Sequence, residues 1–97
     1  MPLSVVFRKI ARQEMDEAIA WYEERRQGLG LEFAAEVERF VHAIADAPER
    51  FRRVRGEVRR AVLLRFPYSI HFIIEAGRIV VLAVFHAKRN PKRLEGR

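Results

Sequence analysis

The spacing of apolar side chains changes twice along this chain. Leu3 to Phe7 is a short run rich in Val and Phe, which predicts an opening strand. From Ala11 the spacing becomes helical. Ala11, Met15, Ala18, Ile19 and Tyr22 form one stripe, with Arg12, Glu14, Asp16, Glu17, Glu23 and Glu24 largely around it as a solvated face. No Ser, Thr, Asp or Asn stands in front as a cap, so the pattern places the helix start only to within a turn. Gly28 and Gly30 end this helix. A second stripe follows in Phe33, Val37, Phe40, Val41 and Ile44 and stops before Pro48. So short a link between two helices predicts an antiparallel hairpin.

Past Pro48 the period drops to two. Pro48 to Gly56 reads as a connecting loop, with Phe51 tucked against the body. Val58–Phe66, Tyr68–Glu75 and Ile79–His86 are apolar-rich segments parted by Pro67 and by Ala76-Gly77. These gaps are too short for parallel crossovers, so the three segments predict an antiparallel meander. The last is apolar on both faces, as a central strand is, and simple alternation puts His86 on the face of Val80, Leu82 and Val84. The order β-α-α-β-β-β predicts one α+β domain over residues 1–97. Its helical hairpin packs on one face of a mainly antiparallel four-stranded sheet.

Composition narrows the chemistry. With no cysteine among 97 residues there is no disulfide, thiolate nucleophile or zinc–thiolate site. Nor do the histidines or carboxylates stand at ligand spacing, so neither metal nor cofactor is expected. The longest apolar run, Ile79 to Phe85, is far short of the roughly 20 residues that span a bilayer. With no export signal at the amino terminus, a cytoplasmic protein with no membrane contact is expected. Charge is unevenly spread. Residues 1–47 carry 6 basic and 9 acidic side chains, net −3, whereas residues 48–97 carry 13 and 4, net +9. Sixteen of the 19 basic residues are arginine, the side chain suited to bidentate phosphate or carboxylate contact. Such a half points to nucleic acid or an acidic protein as partner.

Two motifs behind the helical hairpin carry a family resemblance. One is Val58-Arg59-Arg60-Ala61-Val62-Leu63-Leu64-Arg65-Phe66-Pro67-Tyr68-Ser69-Ile70, an arginine-rich strand leading into Phe-Pro-Tyr. The other is Val84-Phe85-His86-Ala87-Lys88-Arg89-Asn90-Pro91. Together they resemble the RelE/ParE superfamily of type II toxins, in its ParE-like branch. The resemblance implies a growth-arresting toxin, held as a hetero-oligomer by an acidic, ParD-like antitoxin encoded beside it. ParE-like members inhibit DNA gyrase without catalysis of their own; RelE-like members are metal-independent endoribonucleases that cut messenger RNA on the ribosome. Cleavage needs a base for the ribose 2′-hydroxyl, an acid for the leaving oxygen and cations for the phosphate. No tyrosine follows Tyr68, and Leu94 stands where relatives commonly place an aromatic, which leaves His86 as the late acid–base candidate. Gyrase inhibition is therefore the preferred expectation, with RNA cleavage, or a small basic nucleic-acid-binding domain with neither activity, as alternatives.

The expected target contacts are Arg59, Arg60 and Arg65 on the first meander strand and His86, Lys88 and Arg89 at the end of the last. Tyr68 alternates in phase with Ile70, Phe72 and Ile74 and is expected in the core. His42 and His71 are expected to stand isolated. Trp21 sits about 100° from the centre of its helical stripe, the margin where a tryptophan is either a lid on the core or an anchor for the antitoxin. Ile73 and the apolar residues in phase with it are expected to leave a strip on the sheet face opposite the hairpin, a second antitoxin contact.

Overall fold

The computed structural model describes residues 2–88, so Arg89 and the rest of the basic tail lie outside the described residues. The chain runs β1 (Val5–Phe7), α1 (Lys9–Arg25), α2 (Leu29–Asp46), a 3-10 turn over Pro48–Arg50, β2 (Arg52–Arg55), β3 (Val58–Val62), β4 (Tyr68–Glu75) and β5 (Arg78–His86). The strands form one sheet in the order β1-β5-β4-β3-β2. β1 is parallel to β5, and every other pairing is antiparallel.

The expected class holds, with five strands rather than four. The extra one, β2, lies in what the sequence pattern makes a loop. Its Arg-Arg-Val-Arg has no apolar alternation because an outer strand beyond the helical layer buries none of its four side chains. The meander's first strand also stops at Val62 rather than Phe66, because the backbone from Leu63 turns to meet the hairpin.

Both helices form where their stripes predict. Ala11, Met15, Ala18 and Tyr22 of α1 and Phe33, Val37 and Ile44 of α2 are buried in one cluster with Ala61, Ile70, Phe72, Ile79, Val81 and Val84 of the sheet. At the link, Gly28 takes a left-handed φ of 87°, where a Cβ would clash with its own backbone. Gly30 allows close approach, since a Cβ there would lie 2.6 Å from the Ile19 carbonyl oxygen of α1. The carboxylate of Glu23 holds the turn, accepting from Gly28 N at 2.8 Å and Gly30 N at 2.9 Å. These are orphan donors of α2's first turn. The first helix's carboxylates are thus not all a solvated face. Glu14 is also buried, and its Oε1 accepts from Val84 N at 3.0 Å.

That bond marks an irregularity in β5. His71 pairs with Ala83 and Phe72 with Val81, so Leu82 is the extra residue of a bulge. The bulge shifts the phase of the strand's end by one residue. His86 consequently lies opposite Tyr68, Val84 opposite Ile70 and Val81 opposite Phe72, all on the helix side. Simple alternation placed His86 with Val80 and Leu82; the bulge corrects this.

Candidate functional site

The Phe66-Pro67-Tyr68 motif is held from three directions. Within the turn, Leu63 N donates to Tyr68 O at 3.0 Å and Tyr68 N to Phe66 O at 2.8 Å. From β5, Ala87 N donates to Pro67 O at 2.7 Å. From α2, the buried carboxylate of Glu36 reaches across with one oxygen, Oε2, to accept both Leu64 N at 2.7 Å and Arg65 N at 2.9 Å. The rings of Phe66 and Tyr68 then pack with Tyr22 and Phe33, with centroids 4.9–6.1 Å apart. The motif is therefore a rigid corner where hairpin and sheet meet.

Pro67, Tyr68 and His86 form a ridge at this corner, and a cleft opens on each side. One, of about 640 Å³, lies on the sheet face away from the helices; its lining includes Arg60, Arg65, Ser69, His71, Phe85 and His86. Its rim carries Val62 and Leu64, which are 57% and 87% exposed although apolar. The other, of about 560 Å³, lies between α1 and the sheet; Glu17, Trp21, Tyr22 and Lys88 line it with the ridge residues. Trp21 is half-exposed (49%), edge-on to Tyr22 at 5.1 Å and covered on its outer face by the Arg25 guanidinium at 3.7 Å. His86 faces both clefts, its ring 5.2 Å from Tyr68 and its Nδ1 accepting from Lys88 N.

The structure thus brings together some of the expected site residues and separates others. Arg60, Arg65 and His86 share the first cleft; Trp21, His86 and Lys88 share the second. Arg59 stands in neither, because its guanidinium donates to the Glu49 and Phe51 carbonyls and so fastens the loop before β2. Arg65 is engaged with Glu32 at 2.7 Å. That bond, with Arg26 nearby, holds the Glu32 carboxyl below the usual glutamate range, while Glu32 raises Arg65. Arg89 lies outside the described residues. Ile73 is half-buried on β4; of the apolar residues that share its face, Val80, Ala83 and Phe85 are buried and Val62 is exposed, so the open part of the expected strip lies toward β3.

Sequence reasoning missed three groups. Glu36 is in phase with the α2 stripe, three residues after Phe33 and four before Phe40, and Glu14 falls equally between Ala11 and Ala18. An acidic residue on the buried side of a helix was the legible signal for both. His71, expected to be isolated, has Nε2 3.0 Å from Ser69 Oγ and its ring 5.3 Å from Phe85, and it lines the same cleft as His86. A histidine in mid-strand carries no sequence mark of that company.

Among known proteins, the family model described as "ParE toxin of type II toxin-antitoxin system, parDE" matches residues 5–91. No curated protein matches the chain. Among solved structures, a chain from the chromosomal ParDE toxin–antitoxin system of P. aeruginosa superposes with a TM-score of 0.78 at 17% identity, covering 89% of this chain and 97% of that one. No helix of the described residues is long and apolar enough to cross a membrane. The match runs from β1 through the described end of β5, with both the Phe66-Pro67-Tyr68 corner and His86 inside it, and the chain belongs to the ParE toxin family of type II toxin–antitoxin systems.

Proposed function

We propose that the protein arrests growth by binding DNA gyrase rather than by cutting RNA, and that an acidic antitoxin silences it by docking across the Trp21 cleft. The state of the acid–base side chains around the ridge carries this reading. In-line attack by a 2′-hydroxyl needs a base and an acid on opposite sides of the phosphate, both reaching the substrate. Tyr22 and Tyr68 are buried in the aromatic cluster, and burial with Tyr68 alongside pushes the Tyr22 hydroxyl up, away from use as a base. His71 is buried against Phe85 and engaged with Ser69. Among the described residues of the first cleft, that leaves His86 as the accessible acid–base group beside Arg60, with Glu17 and Lys88 standing only in the second cleft. This is enough for recognition and too little for a two-sided proton transfer at one phosphate. The exposed apolar rim of Val62 and Leu64 also suits a protein surface better than a phosphate chain.

The antitoxin reading rests on Trp21. A half-exposed tryptophan over a cleft floored by aromatic rings is the kind of anchor that carries a large share of binding energy. The net +9 of residues 48–97 favours fast encounter with an acidic segment. Ordering such a segment costs about 2–5 kcal/mol of the gross interaction. The test is a brief induction of the toxin with plasmid supercoiling and transcript integrity followed in parallel. Loss of negative supercoiling with intact messages is the expected result. Messages cut at ribosomal positions with supercoiling unchanged would overturn gyrase binding in favour of ribonuclease action.

A further inference from the structure

The β2–β3 hairpin carries far more positive charge than an edge strand needs for protection. Residues 49–60 hold six arginines against Glu49 and Glu57, a net of +4 in twelve positions. Register makes the crowding worse: Arg52 lies directly opposite Arg60, and Arg53 opposite Arg59. Like charges facing each other across a ladder destabilise it, and one or two lysines would suffice to deter edge pairing.

The irregularity between Arg53 and Arg55 concentrates the charge further. In a regular strand Arg52 and Arg55, three residues apart, would point to opposite faces. Here Arg52 pairs with Arg60 and Arg55 with Val58, and Arg60 and Val58 share a face. The bulge therefore brings Arg55 onto the same side as Arg52 and Arg60. Among the described residues none of these three makes an ion pair, whereas Arg53 is near Glu57 and Arg59 is spent on backbone carbonyls. Arg60 also lines the open-face cleft, so the array runs into it.

We propose that Arg52, Arg55 and Arg60 form a phosphate-binding surface by which this protein holds the backbone of duplex nucleic acid. Two features favour this over an acidic protein. Protein interfaces seat aromatic and other apolar anchors at their centres; here only Val54 and Val58 stand among the arginines, with no exposed ring beside them. Duplex DNA, by contrast, offers one negative charge per roughly 1.7 Å of axis, a density that matches such an array. A duplex is favoured over a single strand because no exposed aromatic ring stands on the hairpin for bases to stack on. Phe51, the nearest, is half-buried with its ring against Phe72. The surface reads no sequence: it positions. It is independent of whether gyrase is the target.

The experiment measures binding of the full chain to a fluorescent 20-bp mixed-sequence DNA duplex by anisotropy across a salt series. Three phosphate contacts predict a log–log slope near −2.7, so affinity should fall about 40-fold from 50 to 200 mM salt. The triple substitution Arg52→Ala, Arg55→Ala, Arg60→Ala should bring the slope close to zero with an undiminished thermal melt, since it relieves a repulsive pair. A charge-matched control, Arg8→Ala, Lys9→Ala, Arg78→Ala, should keep the parent slope. Equal loss in the control would show a net-charge effect and overturn the site. Tighter, equally arginine-dependent binding of poly-glutamate, or of a single strand, would also overturn it, in favour of an acidic protein or an unpaired nucleic acid.

Discussion

Removing the Glu36 carboxylate tests whether the Phe-Pro-Tyr corner is held as described. Oε2 of Glu36 accepts from two backbone amides, Leu64 N at 2.7 Å and Arg65 N at 2.9 Å, and the residue is 3% exposed. Hydrogen bonds to a charged acceptor contribute about 1.5–3 kcal/mol each. The two do not simply add, because they share one oxygen and the exposed Leu64 lets water reach its amide in the variant. A loss of roughly 2–4 kcal/mol is expected for Glu36→Ala. For a chain of this size each kcal/mol moves the melting temperature by about 4–8 °C, so the variant should melt roughly 10–30 °C lower. Glu36→Gln keeps a carbonyl oxygen able to serve both amides and loses only the charge, about 1–2 kcal/mol. The Arg39 pair at 3.6 Å is solvent-facing on the arginine side and is worth at most about 0.5 kcal/mol, which Arg39→Ala measures. Thermal and urea melts of the three variants decide the matter. If Glu36→Ala shifts the melt by less than about 2 °C, the carboxylate does not hold the corner and the reasoning fails.

Three further outcomes follow from single contacts. Gly30→Ala places a methyl 2.6 Å from the Ile19 carbonyl oxygen; overpacking of about 1–3 kcal/mol outweighs the gain of up to about 1 kcal/mol in helix propensity, and an equal or higher melt would refute the close approach. Trp21→Ala should weaken antitoxin binding by on the order of 2 kcal/mol, about 30-fold, in calorimetric titration; unchanged affinity with a lowered melt would leave Trp21 as a lid on the core. Glu32 is held low chiefly by the Arg65 hydrogen bond, then by Arg26. A carboxyl with a depressed folded value contributes stability above its unfolded value and loses it as pH falls through the folded one. The contribution therefore fades below the ordinary glutamate value of 4.5, and in Arg65→Ala an NMR carboxyl titration of Glu32 should move up toward that value.

Both helices, the meander and the family are legible in the order of residues alone. Stripes such as Ala11-Met15-Ala18-Tyr22 and Phe33-Val37-Ile44 have only one way to be buried, and period is a local property that survives without knowledge of neighbours. Phe66-Pro67-Tyr68 and His86 were legible for the same reason: they are contiguous or lie at a strand end. Register between distant segments, and everything that depends on it, is not legible in that order. The bulge at Leu82 is invisible in a run of apolar residues, yet it turns His86 toward Tyr68. β2 was hidden because a strand that buries nothing has no hydrophobic period. Its pairing with β3 sets arginines face to face and its irregularity gathers three of them on one side. The division among the remaining basic residues, Arg59 fastening a loop, Arg65 bound to Glu32 and Arg60 left to face the cleft, follows from which carbonyl or carboxylate the fold sets within a few ångströms of each guanidinium. Sixteen chemically identical side chains cannot announce that difference in a one-dimensional string.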